Sequence, residues 1–155
     1  MKEIKFAKII AFIIVLLTIL MAVKSEGADR IEKLFRKYNP KQAHKIAQIV
    51  KTYDKANVIA AIIVHESSVR PWVISKCGDY GLMQIRWRVH RKSYPHLTAN
   101  DLLNAETNIK VGVEIFNRYY AQKKTLRGAL LRYSGGNTNY ANKVLHTIRE
   151  LEAWK

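Results

Sequence analysis

The residue best suited to chemistry in this sequence is Glu66, which follows an apolar run at the end of a predicted helix. A carboxyl group held against Ile62, Ile63 and Val64 is partly withdrawn from water, which disfavours its charged form and raises its pKa. A carboxyl group with a raised pKa can act as a general acid near neutral pH. Many helices end in a solvated glutamate, so this position alone does not establish an active site.

Other residues with catalytic or metal-binding potential give weaker signals. His65 adjoins Glu66, but adjacent side chains on a helix point about 100° apart, so we do not expect it to pass protons to Glu66. Four further histidines lack metal-ligand spacing: His44, His90, His96 and His146. We therefore predict no metal and no cofactor. The lone Cys77 excludes an intrachain disulfide and a four-cysteine zinc site, and nothing marks it as a nucleophile.

The elements that must position Glu66 are predicted to be helices. The length of 155 residues suits one domain, and recurring apolar residues three and four apart predict a mostly α fold. Residues 69–88 contain Pro71, Gly78 and Gly81 and are predicted to form a loop, with a short extended piece at 82–85. Helices are predicted over about 39–53, 55–66, a short stretch after Thr98, 104–120, 125–133 and from Asn137 onward.

The chain begins with an apolar segment at residues 9–23, in which only Thr18 is polar. Lysines flank it: Lys2, Lys5 and Lys8 before it and Lys24 after it. Fifteen residues are short for a membrane span, which needs about 17–25, and resemble the apolar region of a signal peptide. A cleaved signal peptide and a retained inner-membrane anchor, both over residues 1–24, therefore stay open. In both cases the positive-inside rule predicts that the remainder is exported, to the periplasm or cell envelope.

The remainder is predicted to divide in two. Residues 25–38 are a linker or first helix that begins with a polar joint at 25–29, and residues 39–155 form the main domain. The net charge is +15, and it is still +13 without residues 1–23, which hold three of the 27 Lys and Arg and one of the 12 Asp and Glu. Export and the spread of these charges argue against nucleic acid. A solvated cationic surface accounts for most of the basic residues, and an anionic membrane or an anionic wall polymer would be attracted to it.

Four short motifs follow one another across the main domain. Glu66-Ser67 is followed nine residues later by Ser75, and then come the stretches GLMQI at 81–85, NI with a later glycine at 108–112, and ALLRYSGG at 129–136 with Tyr140 beyond it. This order resembles the soluble lytic transglycosylase (SLT) domain, a lysozyme-like fold shared with the goose-type lysozymes. The resemblance covers about residues 43–145.

The resemblance implies a single lysozyme-like helical domain that acts on peptidoglycan glycan strands. Glu66 would be the one catalytic acid and base. It would protonate the oxygen of the β-1,4 bond between N-acetylmuramic acid and N-acetylglucosamine. It would then take the proton of the muramoyl C6 hydroxyl, closing a 1,6-anhydro ring without water.

The resemblance also implies substrate-binding residues around Glu66. Ser75 would lie beside the reacting sugar, and Met83 and Gln84 would form the cleft wall, with the Gln84 amide available to sugar polar groups. The Tyr133 hydroxyl would form a hydrogen bond near the catalytic carboxyl group, and Ser134 would line the cleft. Four other motif residues would serve the fold: Ser67, Gly81, Asn108 and Gly112.

Two positions depart from the family pattern. Ser134 stands where the family commonly has Asn, so one amide is lost from the cleft. Asp79 stands where a small Ala is usual, and it is the one carboxylate near the motifs that could act as a second acid or base. Inverting hydrolysis would need such a group about 6.5–9.5 Å from the acid. Asp after Gly78 is also ordinary turn chemistry, and we favour a solvated turn residue.

Three functions are therefore compatible with the sequence. We favour a monomeric, exported lytic transglycosylase that opens the wall locally, for an envelope-spanning machine or a bacteriophage. Residues 9–23 would tether it to the inner membrane if they are retained rather than cleaved. Hydrolysis by the same fold, as in a lysozyme, is the second. The third is a cationic protein that binds the wall or the membrane without catalysis.

Overall fold

The computed structural model describes residues 2–154, with side chains described at 9–19 and 30–154. The predicted cleavage region around Lys24, the side chains of the polar joint at 25–29 and the lysines at positions 2, 5 and 8 lie outside the described side chains.

The described chain is mostly helical, as predicted. The helices are α1 (Lys2–Arg36), α2 (Pro40–Val50), α3 (Ala56–Ser67), α4 (Trp87–His90), α5 (Ala105–Lys123), α6 (Leu126–Tyr133) and α7 (Thr138–Ala153). Two 3-10 turns lie at Arg91–Ser93 and Asn100–Leu103, and two short strands, β1 (Asp79–Tyr80) and β2 (Ile85–Arg86), form a hairpin. The side chains of Asn104, Thr125 and Asn137 cap α5, α6 and α7, because each accepts a backbone N–H of the first turn.

The N-terminal helix α1 is unbroken, so its backbone is helical where a polar joint was predicted at 25–29. The large apolar side chains described between Ile9 and Ile19 are exposed. Within residues 2–154, no helix has a stretch that is both long and apolar enough to span a membrane. The signal peptide and the membrane tether through residues 9–23 stay predictions.

The last turns of α1 belong to the domain core. Ile31, Leu34 and Phe35 are buried, and α1 packs against α2 and α3. The packed unit therefore begins before residue 39, where the sequence placed the start of the main domain. Ile31, Leu34 and Phe35 are three and four residues apart, so they lie on one face of α1, and this face packs into the core.

Helix α3 lies at the centre of the molecule. Six consecutive residues, 59–64, are at most 3% exposed, and the helix packs against α1, α2 and α7. A helix that is buried on all sides needs apolar residues all round rather than on one stripe, which the run VIAAIIV supplies. The same burial extends to the helix end, where Glu66 begins to approach the surface.

The segment between α3 and α5 contains the hairpin. Asp79 pairs with Arg86 and Tyr80 with Ile85, and Ile74 forms an isolated bridge with Tyr80. The extended piece predicted at 82–85 is therefore wrong except for Ile85: residues 81–84 are the turn that joins the strands. Apolar residues stand in this turn because Leu82 and Met83 are completely buried in the core.

Buried Asn108 fixes this turn to helix α5. Its Oδ1 accepts the Met83 backbone N–H at 2.8 Å, and its Nδ2 donates to the carbonyl oxygens of Tyr80 at 2.8 Å and Leu102 at 2.7 Å. A Cβ at Gly81, whose φ is +71°, would collide with the Asn108 side chain and the Leu102 carbonyl. The fold roles predicted for Asn108 and Gly81 are confirmed.

We expect Asn108→Ala to lower the free energy of unfolding by about 2–4 kcal/mol, because it leaves one buried N–H and two carbonyl oxygens without their partner. Urea denaturation measures this loss. Asn142→Ala is the matched control, because Asn142 is exposed and accepts only from Arg127 on the surface, and it should cost less than about 0.5 kcal/mol. Equal losses in the two variants would contradict the role given to Asn108.

Candidate active site

The Glu66 carboxyl group lies in the last turn of α3 and is largely withdrawn from water. Burial raises its pKa to about 7, the Tyr140 hydroxyl acts in the opposite direction, and the charge of Asp79 adds to the rise. Glu66 is therefore divided between its protonated and charged forms near neutral pH. That state suits a group that must donate a proton and later accept one.

The backbone directly after Glu66 is strained. Ser68 and Val69 have φ values of +52° and +61°, and a β-branched residue rarely adopts that region. The strain is held in place by contacts: the Ser67 hydroxyl donates to the Ile63 carbonyl at 3.1 Å, and the Asn39 amide donates to the Val69 carbonyl at 2.9 Å. These contacts end α3 directly after Glu66, and strain of this kind is common at functional sites.

Glu66 opens into a cleft of about 510 Å³. Helix α3, the hairpin, α4, α5, α6 and the start of α7 all contribute to its walls. The lining residues are Glu66, Asp79, Gln84, Ile85, Arg86, Val89, His90, Ile115, Tyr119, Arg132, Tyr133, Ser134, Gly135, Asn137 and Tyr140. Other concave surfaces lie elsewhere on the described chain, but this one contains the carboxyl group with the raised pKa.

Two tyrosines lie beside Glu66. The Tyr133 hydroxyl donates to the Met83 carbonyl at 2.7 Å, so its proton is used in holding the hairpin turn. The Tyr140 hydroxyl is buried and, within the described chain, makes no hydrogen bond of normal geometry, although it lies close enough to Glu66 to lower the pKa of that carboxyl group. Burial and the charge of Glu66 raise the pKa of both tyrosines, so both remain protonated.

Asp79 is the second carboxylate in the cleft, so the interpretation of it as a solvated turn residue is wrong. Its Oδ1 accepts from Arg86 Nε at 2.7 Å, and its Oδ2 accepts from the Ser75 hydroxyl at 2.9 Å and Arg86 Nη2 at 3.1 Å. The Arg86 guanidinium, and to a lesser extent the Ser75 hydroxyl, lower the pKa of Asp79 below its ordinary value. Asp79 is therefore charged over the whole physiological pH range.

Ser75 and Met83 do not line the cleft in the structure. The Ser75 hydroxyl accepts the backbone N–H groups of Cys77 and Asp79 and donates to the Asp79 carboxylate, so it organises the turn that carries Asp79. The Met83 side chain is fully buried, and a Cβ at Gly112 would come within 2.5 Å of its sulfur. Met83 therefore packs as predicted, but in the core and not in the cleft wall. The close approach predicted at Gly112 is to the Met83 side chain.

Gln84 and Ser134 do line the cleft. Gln84 has a φ of +46°, and its Nε2 donates to the carbonyl oxygens of Gly81 at 2.9 Å and Val73 at 3.2 Å, so its amide nitrogen is committed to the turn and its carbonyl oxygen is left for a ligand. The Ser134 hydroxyl is within 3.4 Å of two backbone carbonyl oxygens at the end of α6.

Several cleft residues were not found from the sequence as site residues: Arg86, His90, Tyr119, Arg132, Asn137 and Tyr140. Tyr140 had a usable signal, because it follows shortly after the last motif. The others had none, since the sequence does not show which arginine, histidine, tyrosine or asparagine side chains face a cleft and which face the solvent. The His65 side chain has a different partner from Glu66: its Nε2 forms a hydrogen bond with the Thr147 hydroxyl on α7 at 2.9 Å.

The geometry describes a cleft in a helical domain, with one carboxyl group that titrates near neutral pH and one carboxylate that stays charged. The family model of the transglycosylase SLT domain matches residues 37–152, three quarters of the chain. The chain therefore belongs to the SLT domain family, and this membership indicates a transglycosylase that acts on peptidoglycan. Comparisons with curated proteins and with solved structures gave no significant match.

The raised pKa of Glu66 predicts a pH-dependent stability. The folded state holds a proton on Glu66 that the unfolded state releases above its ordinary pKa of 4.5. The free energy of unfolding should therefore fall as the pH rises from about 4.5 to about 7. Glu66→Gln removes this effect, so we expect it to gain about 1–3 kcal/mol over the wild type between pH 4 and pH 8.

Urea denaturation at several pH values measures this gain. Glu106→Gln removes an exposed carboxyl group from α5 and serves as the matched control. A difference between Glu66→Gln and wild type that does not change with pH would contradict the burial of the Glu66 carboxyl group.

The two neighbours of Glu66 should shift its pKa in opposite directions. Asp79→Asn removes a negative charge, so the pKa of Glu66 should fall. Tyr140→Phe removes a donor that favours the charged form, so the pKa should rise. Titration of the ¹³C-labelled Glu66 carboxyl group by NMR measures both. Shifts of the same sign in the two variants would contradict this arrangement.

Proposed function

We propose that this protein is a lytic transglycosylase that cleaves the β-1,4 bond between N-acetylmuramic acid and N-acetylglucosamine and leaves a 1,6-anhydromuramoyl end. The single observation that carries the proposal is Glu66, a carboxyl group with a pKa of about 7 in a cleft of about 510 Å³. It rests also on membership of the SLT domain family.

The reaction needs one group to act twice. Protonated Glu66 donates its proton to the glycosidic oxygen as the bond to the muramoyl C1 breaks, and the departing N-acetylglucosamine takes that proton as a free hydroxyl. The Glu66 carboxylate then accepts the proton of the muramoyl C6 hydroxyl, whose oxygen forms the new bond to C1. Glu66 is protonated again, and no water is consumed.

The surrounding groups support both halves of this cycle. Burial favours the protonated acid before cleavage, and the Tyr140 hydroxyl can donate to the carboxylate after it. The fixed charge of Asp79 favours the positive charge that develops on the sugar ring in an oxocarbenium-like transition state. The Gln84 carbonyl oxygen can accept from a sugar hydroxyl or amide.

Hydrolysis is the second candidate, because Asp79 lies in the same cleft as Glu66. A general base must hold a free lone pair toward the attacking water and have a pKa near the working pH. Both Asp79 oxygens already accept hydrogen bonds from Arg86 or Ser75, and its pKa is lowered. These contacts favour Asp79 as a fixed charge over Asp79 as a base, and so favour the anhydro product.

Export and local wall opening complete the proposal. Peptidoglycan lies outside the cytoplasmic membrane, and the apolar segment at residues 9–23 is suited to export as a signal peptide or a tether. The proposal includes local opening of the wall for an envelope-spanning machine or a bacteriophage. The high positive charge would hold the protein near an anionic wall.

Digestion of purified sacculi by the full-length protein in detergent tests the proposal. Mass spectrometry should find anhydromuramoyl fragments that lack one water relative to reducing ends. Glu66→Gln should lower the rate of release by about 10²–10⁴-fold, because the general acid is lost.

Glu106→Gln makes the same chemical change on an exposed part of α5 and is the control for expression and charge. Reducing ends in the wild-type digest would establish hydrolysis in place of transglycosylation. No release of fragments by either protein, together with equal binding to the sacculi by wild type and Glu66→Gln, would instead favour the third function, a cationic protein that acts without catalysis.

A further inference from the structure

Arg86 lines the cleft, but no step of the proposed reaction uses its side chain. It is the last residue of β2, and the register of the hairpin places it opposite Asp79 on β1. The guanidinium contacts both oxygens of the Asp79 carboxylate, with Nε 2.7 Å from Oδ1 and Nη2 3.1 Å from Oδ2. Two donors of one planar group therefore hold the carboxylate in a single orientation.

This ion pair limits what the Asp79 carboxylate can accept. A carboxylate has about four positions at which it accepts hydrogen bonds. Arg86 takes two of them, and the Ser75 hydroxyl, 2.9 Å from Oδ2, takes another. The hydrogen bond from Arg86 is also the largest of the causes that lower the pKa of Asp79. Loss of the guanidinium would free Oδ1 and make the carboxylate a stronger base.

Asp79 lies near the reacting centre that the proposed function assigns to Glu66. Both carboxyl groups line the same cleft, and the charge of Asp79 raises the pKa of Glu66, so the two groups are close in space. A free carboxylate in such a place can take a proton from a water molecule that attacks the C1 atom of a sugar. The contacts of Asp79 therefore bear on which nucleophile reaches C1, the muramoyl C6 hydroxyl or water.

We propose that Arg86 determines the product of the cleft, because it holds the Asp79 carboxylate in contacts that prevent it from accepting a proton from water. This inference rests on the proposed function. Arg86 is then a positioning residue, since it acts through Asp79 and not on the reacting atoms. With the pair intact, the proton of the muramoyl C6 hydroxyl goes to Glu66 and the anhydro ring forms.

Removal of the guanidinium opens a second route after the same bond cleavage. Glu66 again gives its proton to the glycosidic oxygen as the bond to the muramoyl C1 breaks. The oxygen of a water molecule then forms the new bond to C1, and one proton of that water passes to Asp79. The product is a reducing end that contains one added water. Solvent afterwards returns a proton to Glu66 and takes one from Asp79.

Digestion of purified sacculi by full-length wild type, Arg86→Gln and Arg88→Gln tests this role. Mass spectrometry counts the new reducing and anhydro ends, after subtraction of those in undigested sacculi. Arg86→Gln should raise the ratio of reducing to anhydro ends by at least about tenfold, a part of the roughly 10²–10⁴-fold that a general base contributes. Arg88 lies on α4, is exposed and does not line the cleft, so Arg88→Gln should keep the wild-type ratio.

Two further variants separate this role of Arg86 from a general loosening of the hairpin. Arg86→Gln combined with Asp79→Asn lacks the freed carboxylate, so its ratio should return to that of wild type. Arg86→Lys keeps the charge but lacks the planar pair of donors, so its ratio should lie between those of wild type and Arg86→Gln. Arg86 is about half exposed and such ion pairs add little stability, so these variants should fold, as thermal unfolding will show. Arg86→Lys gives the comparison with wild type by itself if Arg86→Gln does not fold.

Equal ratios in wild type, Arg86→Lys and Arg86→Gln, or loss of all cleavage in the folded Arg86 variants, would overturn the inference and leave the transglycosylase intact. A raised ratio that persists in the double variant would also overturn it, because water would then be activated without Asp79. Mostly reducing ends from the wild type, or no cleavage by it, would overturn the proposed function and this inference with it.

Discussion

The structure depends most on the burial of one carboxyl group at the end of a helix that is itself buried on all sides. Helix α3 has no solvated face, so Glu66 reaches the cleft from the core and carries the cost of desolvation in its charged form. The helix stops at Ser67, one residue after Glu66. The left-handed backbone of Ser68 and Val69 makes that stop, at the cost of local strain.

The opposite wall of the cleft depends on a single buried side chain. Asn108 holds the Tyr80 and Leu102 carbonyl oxygens and the Met83 N–H together, and the Met83 carbonyl in turn receives the Tyr133 hydroxyl. The hairpin turn, α5 and α6 are thereby joined through hydrogen bonds whose groups are mostly out of water. A network of this kind is rigid because each broken bond would leave a buried polar group without a partner.

The fold and the burial of the Glu66 carboxyl group could be predicted from the sequence because both rest on local signals. Apolar spacing and the Asn104, Thr125 and Asn137 caps define the helices, and those caps are seen in the structure. The contacts that the side chains around Glu66 make could not be predicted in the same way. Ser75 and Met83 were placed in the cleft by resemblance, yet the structure uses them in a turn and in the core, since motif position does not specify side-chain direction. The contacts of Asp79 depend on the register of the hairpin, and the proximity of Tyr140 to Glu66 arises only from the packing of distant segments.

The different charge states of the two carboxyl groups follow from topology. Asp79 and Arg86 face each other because the register of the hairpin pairs them, so the ion pair is a consequence of the strand pairing. Glu66 lies on α3, outside the hairpin, so the strand pairing does not give it a cationic partner. Its neighbours are the tyrosine hydroxyls. One carboxyl group is thus kept charged and the other titrates near neutral pH within a single cleft. In the proposed reaction, environments that separate two carboxyl pKa values in this way favour the group with the higher pKa as the acid.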